Sequence, residues 1–164
     1  METKVIESRF LGTRPTLVAE ATLTVPEIGP WLGKVYGALA AHLAQLGESP
    51  LGPPFARYHR LEGGRFRVEA GFPVAAHLPT SDGTRGASLP GGRVAVITHI
   101  GPYDGMEASY QTLAAWIESR GAVPEGDAWE IYYSEPTDPP ETWRTDIVQP
   151  YRAAERLAGP SIED

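Results

Sequence analysis

YGALAAHLAQLGESPLGPPFARY (residues 36–58) and YQTLAAWIESRGAVPEGDAWEIY (residues 110–132) are one stretch written twice. At an offset of 74 positions, Tyr36 falls on Tyr110, Leu39 on Leu113, Ala40 and Ala41 on Ala114 and Ala115, and Leu43 on Ile117. Gly47, Pro50, Gly52, Phe55 and Tyr58 fall on Gly121, Pro124, Gly126, Trp129 and Tyr132, without a gap across 23 positions. Upstream, Val18, Ala19 and Thr22 align with Val94, Ala95 and Thr98; downstream, Pro73 aligns with Pro150. The ordered series of glycine, proline and aromatic residues marks an internal duplication.

Each copy carries the same local signals. Leu32, Val35, Tyr36, Leu39, Leu43 and Leu46 recur at helical spacing, as do Met106, Tyr110, Leu113 and Ile117 in the second copy. Pro26 and Pro30 suit the first turn of the first helix, and Gly47 and Gly121 suit the left-handed position after each helix. Strands are predicted before the helices at Leu17–Val25 and Arg93–Gly101. After them come the hairpins Phe55–Arg60 with Arg65–Val74, and Trp129–Ser134 with Arg144–Pro150. Gly63 and Gly64 close the first hairpin tightly, whereas Glu135–Thr142 makes a longer loop in the second. Val5–Leu11 is expected to add a further strand.

The predicted fold is therefore α+β. Strand–helix–strand–strand modules occur in tandem about a pseudo-two-fold axis, forming an antiparallel sheet with helices on one face and a central ligand groove. Residues 1–151 are read as one domain, with copies at about 5–75 and 93–151, a surface linker at 76–92 and a tail at 152–164.

Composition narrows the function. The 164 residues are 41% hydrophobic, too apolar for disorder, and no apolar run is long enough for a membrane span. The N-terminus lacks the order of a secretory signal, so a cytoplasmic location is expected. With no Cys, thiolate chemistry and cysteine-rich zinc sites are excluded. A formal charge of −7 with scattered arginines offers no basic face, so direct DNA binding is not expected.

Where two copies differ in chemistry, one has been specialised. Ala56 in the first corresponds to Glu130 in the second, amid Trp129, Ile131, Tyr132 and Tyr133. Alternation puts Glu130 and Tyr132 on one face of the strand and Trp129, Ile131 and Tyr133 on the other. Trp129 and Ile131 are expected to pack beneath the helices. Glu130 is then expected to face the groove, with Tyr132 beside it and Tyr58 facing it from the other copy. A carboxylate in an aromatic hollow has its pKa raised by desolvation, and a cationic ligand would stabilise its charge. The same group would also suit general acid–base work. A glutamate on a solvated sheet face is the competing reading. Since the first copy carries Ala56, Glu130→Ala is expected to leave the fold intact.

These residues resemble a family. The run His99-Ile100-Gly101-Pro102-Tyr103, the helix through Trp116 to Gly121, then Trp129-Glu130-Ile131-Tyr132, Pro136 and the strand from Thr145 to Pro150 look like the GyrI-like small-molecule-binding domain. That module also forms the effector-binding domain of AraC-type and MerR-type multidrug regulators, and the resemblance extends from about Val5 to Tyr151. It implies that Glu130 contacts cationic or lipophilic ligands in a central pocket and that Tyr103 and Tyr132 line it. Tyr58 is added from the repeat alone, and Trp143 from its place at the start of a groove-adjacent strand. The regulators carry a helix-turn-helix segment ahead of the module, whereas here the module starts almost at Met1, so a stand-alone binder is expected. Stand-alone relatives leave two alternatives open. One is a cofactor-free hydrolase of strained, cyclopropane-bearing compounds, using Glu130 with Tyr132 or Tyr103. The other is a modulator of a protein partner such as a topoisomerase.

Other chemistry is thin. His42, His59, His77 and His99 have no metal-ligand spacing, and a structural role is expected for His99. No Gly-x-Ser-x-Gly or phosphate-binding glycine pattern occurs. No cofactor or metal is expected, and Trp31 and Trp116 are read as core or rim.

Overall fold

Among the described residues the chain forms nine strands, most of them rich in branched and aromatic residues, and the two helical stripes build two helices. The computed structural model describes residues 5–81 and 83–154. In chain order the elements are β1 (Ile6–Leu11), β2 (Arg14–Thr24), α1 (Val25–Gln45), β3 (Phe55–Arg60), β4 (Arg65–Pro73) and β5 (Arg85–Leu89). Then follow β6 (Gly92–Ile100), α2 (Met106–Ser119), β7 (Ala122–Pro124), β8 (Trp129–Tyr132) and β9 (Arg144–Ala153). The antiparallel sheet runs in the order β1-β6-β9-β8-β3-β4-β2-β5, with β7 paired to β9. No helix among the described residues is long and apolar enough to cross a membrane.

That order is the duplication made visible. Strands β6, β9 and β8 of the second half mirror β2, β4 and β3 of the first. The halves join where β3 pairs with β8, and there Ala56 lies opposite Glu130. These two residues are each other's repeat equivalents, so the pseudo-two-fold axis passes between them. The helix caps repeat as well: Gly47 and Gly121 have φ of 74° and 68°, the left-handed turn that favours glycine.

The segment read as a surface linker at 76–92 instead contains a strand. β5 adds to the outer edge of β2, as β1 adds to the outer edge of β6. Each copy is thus preceded by a strand that pairs with the other half, an exchange between the copies. The expected N-terminal strand is present; its counterpart β5 escapes a propensity reading because Arg85-Gly86-Ala87-Ser88-Leu89 has no β-branched residue. Two further boundaries differ. α1 begins at Val25, so Pro30 falls inside the helix, beyond the first turn, and Leu46 lies after its end and 41% exposed. Arg152 and Ala153 extend β9, whereas the rest of the expected tail, 155–164, lies outside the described residues.

Alternation along the strands feeds three cores. Leu17, Phe72 and Val74 meet Leu39 and Leu43 of α1. Ala95, Ile97 and Ile147 meet Met106, Leu113 and Ile117 of α2. Val18, Val94, Val96 and Val148 point the other way and gather with Phe55, Leu89 and Trp129 on the helix-free face. Trp129 and Ile131 therefore do not pack beneath the helices as expected. The sheet curls, and this inner surface is a core of its own. Burying side chains the size of Trp129 and Phe55 there contributes roughly 1.5–3 kcal/mol each.

Curling brings the two sheet ends together. β1 at one end passes to β2 near the other through Gly12 and Thr13 alone, and β5 passes to β6 through Pro90 and Gly91. These crossovers touch: a Cβ on Gly91 would lie 2.8 Å from the Thr13 nitrogen and 2.9 Å from the Leu11 oxygen. Backbone cannot give way as a side chain can. Gly91→Ala is expected to destabilise the fold by about 1–3 kcal/mol in chemical denaturation. Gly33→Ala, in the interior of α1 with nothing within 4 Å of its added methyl, is expected to stabilise it by about 0.5–1 kcal/mol.

Candidate ligand-binding site

Residues next to a two-fold axis meet their own images. Tyr58 on β3 and Tyr132 on β8 face one another, hydroxyl to hydroxyl, at 2.6 Å. Tyr36 on α1 and Tyr110 on α2 reach in from the two helices, Tyr36 donating to the Phe55 carbonyl at 2.6 Å. Two repeated tyrosine positions thus give four tyrosines around the Ala56–Glu130 pair.

The acid breaks the symmetry. Tyr110 donates to Glu130 Oε2 at 2.5 Å and Tyr132 donates to Oε1 at 2.7 Å. With the Tyr132 proton committed to Glu130, Tyr58 donates to the Tyr132 oxygen, giving a chain of hydroxyls that ends on the carboxylate. Among the described residues no Lys, Arg or His forms an ion pair with Glu130. Desolvation pushes its pKa above the ordinary carboxylate value, and the two tyrosine hydrogen bonds pull part of the way back. Burial also raises the hydroxyl pKa values of Tyr36, Tyr58, Tyr110 and Tyr132, with the Glu130 charge adding to the effect, so all four stay protonated donors.

Aromatic faces complete the surround. The Tyr36 and Tyr132 rings meet edge-on at 6.4 Å between centroids, and Tyr36 also abuts Phe72 at 5.8 Å. Tyr103 lies across Tyr132 at 6.0 Å and against Trp143 at 5.0 Å, with half its surface exposed. Tyr103 is carried by the turn between β6 and α2, which buried His99 fixes. Its Nε2 donates to the Pro102 carbonyl at 2.8 Å and its Nδ1 meets the Ser109 hydroxyl at 3.0 Å. Trp143 ends the long β8–β9 loop, its indole N–H held by the Asp138 carbonyl at 2.9 Å. The equivalent first-half turn, at 61–64, is tight and places no aromatic there. The second half is thus specialised twice, by Glu130 and by the loop that brings Trp143 against Tyr103.

The structure gathers every expected residue: Glu130, Tyr132, Tyr103, Tyr58 and Trp143 form one connected cluster. It lies on the helix-bearing face, between α1 and α2. Tyr36 and Tyr110 belong to it too, although the helical stripe assigns them to the core. The repeat held the signal for them, since they are identical at equivalent positions and each hydroxyl needs a partner when buried. The remaining histidines lie elsewhere, His59 pairing with Asp127 at 3.0 Å. No cluster of metal-ligating side chains occurs among the described residues.

Solved structures share this fold. The EcmrR C-terminal domain matches with a TM-score of 0.77 at 16% identity, over 93% of this chain and 100% of that one. EcmrR in its DNA complex matches at 0.79 and 16%, covering 92% of this chain but 58% of EcmrR, so the chain spans little more than half that protein. SAV2435 bound to tetraphenylphosphonium matches at 0.65 and 13%, over 93% of this chain and 97% of that one. A hydrolase from Listeria innocua matches at 0.66 and 14%, over 90% and 91%. No curated protein matches significantly. The profile of the GyrI-like small molecule binding domain matches residues 13–152, which hold both helices, the β3–β8 seam and the tyrosine–glutamate cluster. The chain belongs to the GyrI-like small-molecule-binding family.

Proposed function

We propose that this domain binds lipophilic, aromatic monocations at the tyrosine cluster, with Glu130 as their counter-ion. The observation that carries this reading is a desolvated carboxylate with hydrogen-bond donors but no cation of its own. Two hydroxyls fix the acid in place without neutralising it. A diffuse organic cation costs little to dehydrate, finds the missing charge, and meets tyrosine faces worth roughly 0.5–2 kcal/mol per good contact. SAV2435, of the same fold, has been solved with such a cation, tetraphenylphosphonium. Tyr103 and Trp143, on the exposed side of the cluster, would make the first contact.

A second reading has one observation in its favour. The hydroxyl chain from Tyr58 through Tyr132 to Glu130 pairs a proton acceptor with polarising donors, as a cofactor-free hydrolase of strained electrophiles requires. In that case Glu130 takes a proton from water as its oxygen bonds to a ring carbon, the strained C–C bond breaks, and a tyrosine hydroxyl donates toward the electron pair released on the same molecule, which takes up a proton.

Tetraphenylphosphonium titration separates the readings. Saturable binding without turnover, weakened at least about tenfold in Glu130→Gln, is expected. Cleavage of a cyclopropane-bearing electrophile that disappears in Glu130→Gln would favour the hydrolase. Cation binding untouched by the substitution would remove Glu130 from both.

The sign of the pH dependence is fixed by the raised pKa. The cation needs the ionised carboxylate, so affinity is full at high pH and falls as pH drops through the Glu130 pKa. That fall is expected to be centred above 4.5, the ordinary glutamate value, and to be absent in Glu130→Gln. Without ligand, a raised pKa means that ionisation destabilises the fold. Apo Glu130→Gln is therefore expected to melt at or above the native temperature at pH 8, with the difference shrinking as acid protonates the native side chain.

A further inference from the structure

At the far end of α2 from Tyr110, the helix, β6, β7 and β9 border an open cleft of about 540 Å³. Its walls include Arg93, Trp116, Ser119, Arg120 and Tyr151, and no Asp or Glu. In a chain of formal charge −7 this is a local reversal of sign. Four other arginines, Arg9, Arg67, Arg85 and Arg144, hold carboxylates. Neither Arg93 nor Arg120, both of which line the cleft, does so among the described residues.

The cleft also has an aromatic wall. The Arg120 guanidinium lies 4.1 Å from the centre of the Trp116 ring, and Tyr151 meets Trp116 edge-on at 5.9 Å. Stacking on the indole limits the freedom of Arg120 and leaves its N–H edges for an acceptor. The Tyr151 hydroxyl shares a 2.7 Å hydrogen bond with Ser8 of β1. Phe10, paired with Arg93 across β1 and β6, stands 79% exposed on the same side of the sheet. Two forked cations beside aromatic surface suit a planar acid: carboxylate oxygens take guanidinium hydrogen bonds while the ring covers apolar surface. The first half has no such feature, since the positions equivalent to Trp116 and Arg120 are His42 and Leu46.

We propose that this cleft is a second small-molecule site, selective for aromatic carboxylates and independent of the Glu130 hollow. The test is isothermal titration of 1-naphthoate and neutral 1-naphthylmethanol into the full chain, the Arg93→Gln/Arg120→Gln double variant, and Glu130→Gln. Saturable one-to-one binding of naphthoate is expected, about tenfold or more tighter than the alcohol and weakened by at least that factor in the double variant. Higher salt is expected to weaken it as well. Glu130→Gln is expected to leave naphthoate binding unchanged, so this proposal and the cation site fail or stand separately. The substituted residues are exposed, and melting temperatures within about 2 °C of native confirm folded variants. Naphthoate binding no tighter than the alcohol, unchanged in the double variant, or altered by Glu130→Gln would overturn the proposal.

Discussion

The pairing of β3 with β8 holds the two halves in one sheet, and Ala56 opposite Glu130 is its centre. The tyrosine positions near that point have images across the axis, so the duplication concentrates four tyrosines in one cluster. Tyrosine tolerates such doubling, because one hydroxyl donates while the other accepts, as Tyr58 and Tyr132 do. A carboxylate does not. Two acids facing each other at low dielectric would repel, and one would be forced to keep its proton. Ala56, fully buried opposite Glu130, removes that conflict and leaves a single negative charge with tyrosine donors from both sheet and helix.

A sheet that curls has two insides. β8 serves both: Glu130 and Tyr132 face the helices while Trp129 enters the core of the helix-free side. The exchanged edge strands β1 and β5 bring Leu11 and Leu89 to that inner core, and the touching crossovers draw the ends of the sheet together. Rigidity around Glu130 follows from this arrangement. Its strand is bonded on both sides and packed from beneath, so the carboxylate is held by the fold before any ligand arrives.

Much of this was legible in the residues. The repeat located the helices, the seam and the unmatched acid, and alternation grouped Glu130 with Tyr132 against Trp129 with Ile131. Alternation does not say which group the helices cover. Trp129 and Ile131 are as apolar as a helix-facing layer demands, but the curled inner face demands the same, and local pattern cannot separate the two. The hydroxyls of Tyr36 and Tyr110 held the missing information, since helix stripes that carry polar tips must cover something that accepts a hydrogen bond. β5 was hidden for a different reason. Its pairing comes from the exposed edge of β2 rather than from its own propensity, and only the symmetry argument, that a strand before one copy calls for a strand before the other, would have found it.

The chemistry of the Glu130 cluster bears on how selective a ligand site there would be. Donors that would read a ligand's polar groups are already spent on Glu130 and on each other, and the Tyr36 hydroxyl is spent on the Phe55 carbonyl. What remains for a visitor is charge and aromatic surface, neither strongly directional. On the proposed reading, discrimination would fall on sign and bulk rather than on atomic detail, disfavouring anions and strongly hydrated cations and admitting diffuse organic cations of varied shape. The self-satisfied tyrosine network would then be the physical reason that such a site answers a class of compounds rather than one.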